Sequence, residues 1–120
     1  MPAKTIKVVS AAEAYLTLLK DREVDYLFGN AGTDFPSIIE GLSKSLTGEG
    51  SAPIPVTVPH ENLAVAMAHG YYVSTGRLDS VMVHVNVGTA NAICGVMNAA
   101  RENVPGLMTS GRTPLNEEGV

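Results

Sequence analysis

The stretch PHENLAVAMAHGYYVSTG, residues 59–76, marks the passage from a strand into a helix. The apolar run at 54–58 precedes it and favours a buried strand. Small or apolar residues then recur with the i, i+3, i+4, i+7 spacing of a helix that packs closely on its neighbours. They are Ala64, Met67, Ala68 and Tyr71. Glu61 therefore falls at a strand-to-helix junction, where a carboxylate can be a helix cap, a salt-bridge partner or a catalytic acid.

Strands and helices alternate in both directions from this stretch. Short apolar runs predict the strands, and helical periodicity or capping signals predict the helices. The strands are expected at 26–28, 54–58, 80–85 and 106–110, and the helices at about 11–21, from Pro36 onward, at about 61–76 and at about 90–101. This alternation favours a parallel, doubly wound α/β sheet in a three-layer α/β/α arrangement. Because the chain ends just after a strand, we expect the fold to be incomplete at the C-terminus and the chain to be part of something longer.

Helix starts and inward faces can be predicted in more detail. Residues 10–13 read Ser-Ala-Ala-Glu, the pattern of a capping box. Thr33 or Asp34 is expected to cap the second helix, with Pro36 in its first turn. A turn is expected at 86–91 before the fourth helix. The side chains expected to face the core are Ile38, Ile39 and Leu42 of the second helix and Ile93, Cys94, Met97 and Ala100 of the fourth.

Composition narrows the class of protein. A chain of 120 residues with 45% hydrophobic and 17% charged residues fits one globular domain. Its net charge of −4, without a Lys/Arg cluster, argues against nucleic-acid binding, and its apolar runs are too short to span a membrane. Cys94 is the single cysteine, and Lys4 and Lys7 interrupt any apolar run of a signal peptide. We expect a cytoplasmic protein.

Three turns should meet at one edge of the sheet, because ligands of open α/β sheets bind beyond the carboxyl ends of the strands. They are the segments 29–33, 60–61 and 86–91. Neither GNAG nor VGTAN matches the dinucleotide or phosphate-binding glycine motifs. Taken singly, Gly29, Gly32 and Gly88 suit the backbone geometry of turns. Spacing alone favours Glu61 as a first-turn carboxylate that interacts with the helix dipole, an effect of about 0.3–1 kcal/mol.

The histidines have similar alternatives. His60 and His69 are nine residues apart, so on a helix they point to opposite sides and do not form a metal site. His84 lies near the end of an apolar strand, where it can be a core histidine or an imidazole that faces a substrate. No metal ligand is expected in this chain.

At these residues the sequence resembles the N-terminal, pyrimidine-binding domain of thiamine-diphosphate-dependent enzymes of the benzoylformate decarboxylase and acetolactate synthase type. The resemblance covers nearly the whole chain, 1–120, and rests on an ordered set of motifs. They are FGNAGT at 28–33, HE with the alanines and GYYVSTG that follow at 60–76, HVNVGTANA at 84–92, and the closing alanines, Pro105 and Ser110-Gly111. Ala31 stands where the family usually has proline.

The resemblance implies roles for individual residues. Glu61 matches the glutamate that hydrogen-bonds a ring nitrogen of the cofactor's aminopyrimidine and so activates the cofactor. His84 and Thr33 match positions that face the substrate, where an imidazole can relay protons and a hydroxyl can hold a carboxylate. The positions that match the neighbourhood of the cofactor are Gly32, Gly88, Thr89 and Asn91. Val87 and Ala90 replace residues of the commoner pattern in that loop.

The resemblance also implies partners. The family binds the diphosphate and its magnesium through a GDG…N motif in a second domain, and this sequence contains no such motif. We therefore expect a decarboxylase or carboligase of 2-oxo acids that works as a homo-oligomer, with this chain inactive until it meets a diphosphate-binding domain. A non-catalytic α/β binding or assembly module and a flavodoxin-like nucleotide-binding domain are the rival hypotheses.

Overall fold

Helices and strands alternate through residues 5–112, which the computed structural model describes. The helices are α1 (Ala11–Asp21), α2 (Pro36–Leu46), α3 (Glu61–Thr75) and α4 (Val85–Arg101). The strands are β1 (Tyr26–Gly29), β2 (Ile54–Thr57), β3 (Ser80–Val83) and β4 (Leu107–Ser110). All strand pairs are parallel, in the order β2-β1-β3-β4, which confirms the predicted α/β class.

The sheet buries side chains on both of its faces because neighbouring residues of a strand point to opposite sides. Phe28 and Val81 belong to a core cluster shared with α3 and α4, whereas Leu27 and Met82 belong to a second cluster shared with α1 and α2. The helices therefore lie in two layers with the sheet between them, as predicted.

Strand order determines where a site can form. The chain runs from β1 to the neighbouring edge strand β2 and then crosses back to pair β3 with the other side of β1. Gly29 pairs with Thr57 on one side and with Met82 on the other, so the carboxyl ends of the three strands lie together. The reversal of direction beside β1 is the position at which sheets of this kind form a crevice.

The start of α4 differs from the prediction. Residues 86–89, expected in a turn, are helical, and the chain needs only His84 (φ −81°, ψ 111°) to pass from the buried strand β3 into the helix. The N–H of Gly88 donates to the carbonyl of His84 at 2.7 Å, which closes the first helical turn. Gly88 therefore serves a helix start and not a loop.

The inward face of α4 was also predicted wrongly. The apolar residues assigned to the core are exposed, and the buried positions are small. The exposed set is Ile93, Cys94, Met97 and Ala100, and the buried set is Gly88, Ala92 and Gly95. A Cβ at Gly95 would lie 2.8 Å from Asn62 Oδ1 and 2.9 Å from the Cβ of Val65, so α3 approaches too closely for larger side chains. Met67 of α3 and Ile39 of α2 are likewise exposed, contrary to expectation.

Helix caps gave one correct and one wrong prediction. The hydroxyl of Ser10 accepts a hydrogen bond from the N–H of Glu13 at 3.2 Å and caps α1. By contrast, α2 begins after Phe35 without a side-chain cap. Asp34 does not cap that helix because its carboxylate pairs with His84 instead.

Candidate functional site

Glu61, the first residue of α3, is the centre of the site. Glu61 is buried, with only 6% of the residue exposed. The side-chain amide of Asn30 donates to Oε1 at 3.2 Å, and that of Asn91 donates to Oε2 at 3.1 Å. Because Asn30 follows β1 and Asn91 belongs to α4, three separate segments of the chain converge on this one carboxylate. The three turns therefore meet at one edge of the sheet, as predicted.

The surroundings of Glu61 favour its ionised form. Its own backbone N–H is the largest influence and lowers the pKa of the carboxyl, while burial acts in the opposite direction. The amides of Asn91 and Asn30 and the nearby charge of His60 lower the pKa further, so that the net shift is downward. Glu61 is thus an oriented, buried acceptor at neutral pH.

Gly88 brings the backbone of α4 close to Glu61. A Cβ at this position would lie 3.3 Å from Glu61 Oε1 and 3.1 Å from the Cβ of Val83. These distances are tighter than ordinary side-chain contacts, so the absence of a side chain lets the first turn of α4 approach the carboxylate. This close approach was not apparent from the motif alone.

A second pair of charged or polar side chains stands at the same edge of the sheet. His84 Nδ1 lies 2.6 Å from Asp34 Oδ1, and the N–H of Val85 donates to Asp34 Oδ2 at 3.4 Å. Gly32 packs directly against the imidazole, since a Cβ there would lie 2.2 Å from both Cγ and Nδ1 of His84. The turn after β1 therefore contacts both Glu61, through Asn30, and His84, through Gly32 and Asp34.

The pKa of Asp34 reflects this pairing. Burial alone would raise the pKa of the carboxyl. The hydrogen bond with His84, those from backbone N–H groups including that of Val85, and the charge of the imidazole together outweigh burial and lower it. Asp34 is consequently an ionised partner for His84 at neutral pH.

The backbone directly after His84 is strained. Val85, the first residue of α4, has φ +38°, a conformation that is rare for a β-branched residue. Its carbonyl accepts hydrogen bonds from the hydroxyls of Thr89 and Ser110, both at 2.8 Å. Such strain costs on the order of 1–3 kcal/mol and occurs preferentially at functional sites.

The remaining predicted positions are less central. Thr33 is exposed in the turn after β1. Thr89 uses its hydroxyl for the carbonyl of Val85 and is not directed at Glu61 by that bond. His60 caps α3 by accepting from the N–H of Asn62, and His69 pairs with Glu102 at 3.0 Å. Within residues 5–112, no cluster of three or more His, Cys, Asp or Glu side chains is arranged to hold a metal ion.

Sequence reasoning missed two residues of the site, Asn30 and Asp34. Both lie in the segment that follows β1, which had been singled out for its glycines. Polar residues just past the carboxyl end of a buried strand were the available signal. Asp34 was obscured because an aspartate two residues before Pro36 also fits a helix cap.

The carboxylate of Glu61 and the two amides that hold it suit an aminopyrimidine such as that of thiamine diphosphate. A buried carboxylate whose two oxygens are oriented by amides can accept from a ring N–H. In the part of the chain that the structure describes, no helix is long and apolar enough to cross a membrane.

Comparisons with known proteins point the same way. Residues 9–120 match the family model described as thiamine pyrophosphate enzyme, N-terminal TPP binding domain. The acetolactate synthase large subunit of Haemophilus influenzae is 35% identical over 111 residues, 92% of this chain and 18% of that protein. The acetolactate synthase isozyme 3 large subunit of Escherichia coli is 32% identical over 107 residues, 89% of this chain and 18% of that protein.

Solved structures share the fold. The thiamine diphosphate-dependent 4-hydroxybenzoylformate decarboxylase of Rhodococcus jostii aligns with a TM-score of 0.64 and 27% identity, over 83% of this chain and 17% of that one. The chain thus spans less than a fifth of the length of these relatives, 17–18%.

Proposed function

Because this chain belongs to the thiamine pyrophosphate enzyme family through its N-terminal TPP binding domain, we propose that it forms the pyrimidine-binding side of a thiamine diphosphate site in a 2-oxo acid decarboxylase or carboligase. The whole of residues 1–120 would serve as that domain. The observation that carries the proposal is the buried carboxylate of Glu61, held between the amides of Asn30 and Asn91 at the carboxyl edge of the sheet.

Glu61 would act at the pyrimidine ring. When bound, thiamine diphosphate supplies a nucleophilic carbon that adds to the carbonyl of a 2-oxo acid and accepts the electron pair released with carbon dioxide. One carboxylate oxygen of Glu61 would share a proton with a ring nitrogen of the cofactor. The two amides would keep the carboxylate from rotating away, and Gly88 would let the first turn of α4 pack against it.

Two residues at the same edge of the sheet as Glu61 would handle the substrate. The imidazole of His84 would give and take a proton at the reacting oxygen, and the exposed hydroxyl of Thr33 would donate to the carboxylate of a 2-oxo acid. Gly32 and Thr89 would shape the space around the cofactor, Gly32 by allowing close contact with His84 and Thr89 by holding the carbonyl of the strained Val85.

The other half of the site would come from elsewhere. We propose that magnesium and the diphosphate bind a second domain, in the same enzyme or a partner subunit, and that the cofactor lies at the interface of a homo-oligomer. The chain alone would be inactive. The single cysteine, Cys94, is free and exposed, which suits the reducing cytoplasm as the site of action.

Replacement of Glu61 tests this function. In the complete native enzyme, or in this chain complemented with a diphosphate-binding domain, we expect Glu61→Gln to lower 2-oxo acid decarboxylation by about 10²–10⁴-fold, the usual contribution of acid–base catalysis. The affinity for thiamine diphosphate, measured by calorimetric titration with magnesium present, should fall far less. Glu40→Gln is the control, since Glu40 is an exposed carboxylate whose contact is with Lys44.

Two results would contradict the proposal. Full turnover by Glu61→Gln or Glu61→Ala would exclude Glu61 as the activating group. Failure of the wild-type chain to support any 2-oxo acid reaction in the complemented system would instead favour a non-catalytic α/β binding or assembly module. Tight binding of a flavin or nucleotide by the chain alone would support the flavodoxin-like alternative.

A further inference from the structure

We propose that Asp34 is a positioning residue that holds the imidazole of His84 with its proton on Nδ1, so that Nε2 is the nitrogen available for proton transfer. The inference rests on the proposed function for the reaction in which His84 takes part. The pairing itself rests on the geometry of the two side chains.

The contact between the two side chains is short and protected. His84 Nδ1 and Asp34 Oδ1 lie 2.6 Å apart, and the side chains are 34% and 11% exposed, respectively. A carboxylate only accepts hydrogen bonds, so the imidazole nitrogen that faces it must carry the proton. An ionised Asp34 therefore selects one tautomer of His84.

Both residues give up a local role for this contact. His84 occupies the N-cap of α4, yet its side chain makes no capping bond there. Asp34 precedes α2 closely enough to cap it, yet α2 has no side-chain cap. The two side chains instead meet across fifty positions of sequence, at the carboxyl ends of the neighbouring strands β1 and β3.

The ring orientation leaves Nε2 free. A Cβ at Gly32 would lie 2.2 Å from Cγ and Nδ1 of His84 and 2.7 Å from Cε1, which places it over one face of the ring, so the turn after β1 covers that face. Among residues 5–112, Nε2 has no hydrogen-bond partner. The nitrogen that Asp34 leaves unprotonated is thus also the one without a hydrogen-bond partner in the described part of the chain.

Asp34 is fixed in turn by the chain around it. Its Oδ2 accepts from the N–H of Val85, whose backbone is strained at φ +38°. A Cβ at Gly111 would lie 1.9 Å from the same oxygen, so the segment after β4 closes over the carboxylate. The carboxylate therefore has little freedom to turn away from the imidazole.

The consequence for proton transfer is directional. With Nδ1–H donating to Asp34, the lone pair on Nε2 accepts a proton from the reacting group, and the carboxylate stabilises the imidazolium formed. The same proton returns from Nε2 in the reverse step, while Nδ1–H stays with Asp34 throughout. Asp34 itself touches neither the cofactor nor the substrate in this scheme.

The tautomer of His84 provides a test that needs no cofactor. In the full chain with ¹⁵N-labelled histidine, we expect the imidazole ¹⁵N shifts to assign the neutral ring of His84 as Nδ1–H. Asp34→Asn preserves the shape of the side chain but removes its charge, and it should convert a large part of the population to Nε2–H. Gly32→Ala, which pushes the ring away, should do the same while Asp34 is intact. Glu40→Gln should leave the shifts unchanged.

Activity of the complete enzyme provides the second measurement. Loss of the partner that orients a metal-bound histidine costs about 10–100-fold in affinity or activity, and we expect an effect of similar size for His84. We expect Asp34→Asn to lower kcat by about that factor with a smaller change in KM. In the double variant with His84→Ala, removal of Asp34 should cause no further loss, because it acts only through the imidazole.

The outcomes separate the two proposals. An unchanged His84 tautomer in Asp34→Asn would overturn the positioning role, as would a loss of kcat that adds fully to that of His84→Ala. If Asp34→Asn changes the tautomer of His84 but the wild-type enzyme lacks all 2-oxo acid activity, the pairing is supported and the proposed function is overturned instead. Circular dichroism of each variant checks that the fold is retained.

Discussion

The backbone of Gly88 lies against the carboxylate of Glu61, and a Cβ at position 88 would stand 3.3 Å from Oε1. Val83 closes the other side, at 3.1 Å from the same point. The end of β3, the first turn of α4 and the start of α3 thus meet where only a glycine fits without displacement. This contact links the geometry of the fold directly to the group that we propose activates the cofactor.

Gly88→Ala should therefore weaken the site. The added methyl group must push Glu61 or Val83 aside by a few tenths of an ångström, and small misplacements at such sites are costly. We expect the affinity for thiamine diphosphate to fall by about tenfold, roughly 1.4 kcal/mol, measured by calorimetric titration of the complete enzyme with magnesium.

Gly70→Ala is the matched control for that substitution. Gly70 also lies within a helix, but a Cβ there would meet nothing within 4 Å. Alanine should raise the free energy of unfolding by about 0.5–1 kcal/mol, because glycine is the more flexible residue in the unfolded chain. Its affinity for the cofactor should not change. Equal affinities in Gly88→Ala and wild type would contradict the proposed close approach.

Glu61 should also give the protein a pH-dependent stability. Its pKa in the folded state is lowered, chiefly by its own backbone N–H, against burial, and further by Asn91 and Asn30. A group of this kind stabilises the fold above its unfolded pKa, about 4.3 for glutamate, and that contribution is lost as the pH falls through the lower, folded pKa.

The comparison of Glu61→Gln with wild type measures this contribution. A glutamine oxygen can accept from only one of the two asparagine amides, so we expect a loss of about 1–3 kcal/mol in the free energy of unfolding at pH 7. The difference should shrink as the pH falls below the unfolded pKa of Glu61. Urea denaturation of the full chain at several pH values provides the data. A difference that is constant with pH would show that the carboxylate is not held in its charged form.

Short apolar runs made the sheet predictable, because strands covered on both faces need apolar residues at every position. Residues 81–83 of β3, which are all apolar and all buried, are the clearest case. The start of α4 was not predictable in the same way. The segment containing Gly88 looks like a turn in sequence, but the buried end of β3 and the approach to Glu61 require a helix there.

Sequence reasoning singled out a residue such as Glu61 that is recognisable at its own position. It missed a contact that exists only because the fold brings two distant residues together. Glu61 stands out at its junction, and the resemblance gave it a role. The pairing of Asp34 with His84 joins residues fifty positions apart, and each has a plausible local role that conceals the contact. Size also misled, since Ile93 and Met97 look like core residues while the tight contact between α3 and α4 selects Gly95.

Gly95→Ala should destabilise the fold for that reason. Its Cβ would fall 2.8 Å from Asn62 Oδ1 and 2.9 Å from two atoms of Val65, closer than real side chains come. Separation of α3 and α4 should cost about 1–3 kcal/mol, more than the gain of about 1 kcal/mol from helix propensity. Thermal unfolding measures the difference. The exposed neighbour Cys94, replaced by alanine, should change stability by less than about 0.5 kcal/mol, and a stabilised Gly95→Ala would contradict the close helix contact.

Asp79 is a buried carboxylate that the proposed chemistry does not use. The residue is 2% exposed at the amino end of β3, where Oδ1 accepts from the N–H of Tyr26 at 3.0 Å. Oδ2 has no hydrogen-bond partner within residues 5–112. Burial raises the pKa of this carboxyl most strongly and the charge of Asp25 adds to the effect, against the hydrogen bonds from the backbone N–H groups of Tyr26 and Asp25.

Asp79→Asn should consequently stabilise the protein at neutral pH. Because the pKa of Asp79 is raised in the folded state, protonation of its carboxyl stabilises the fold. This stabilisation is complete below the unfolded pKa of about 3.9 and is lost as the pH rises through the folded pKa. Asparagine keeps the acceptor for Tyr26 without the charge, and we expect a gain on the order of 1 kcal/mol at pH 7 that vanishes in acid. Asp79→Ala removes the acceptor and should instead lose about 1–3 kcal/mol at pH 7. Denaturation curves of both variants at pH 7 and pH 3 distinguish a destabilising charge from an acceptor that the fold requires. A loss of stability in Asp79→Asn at pH 7 would contradict this prediction and would mean that the ionised carboxylate itself holds the strands together.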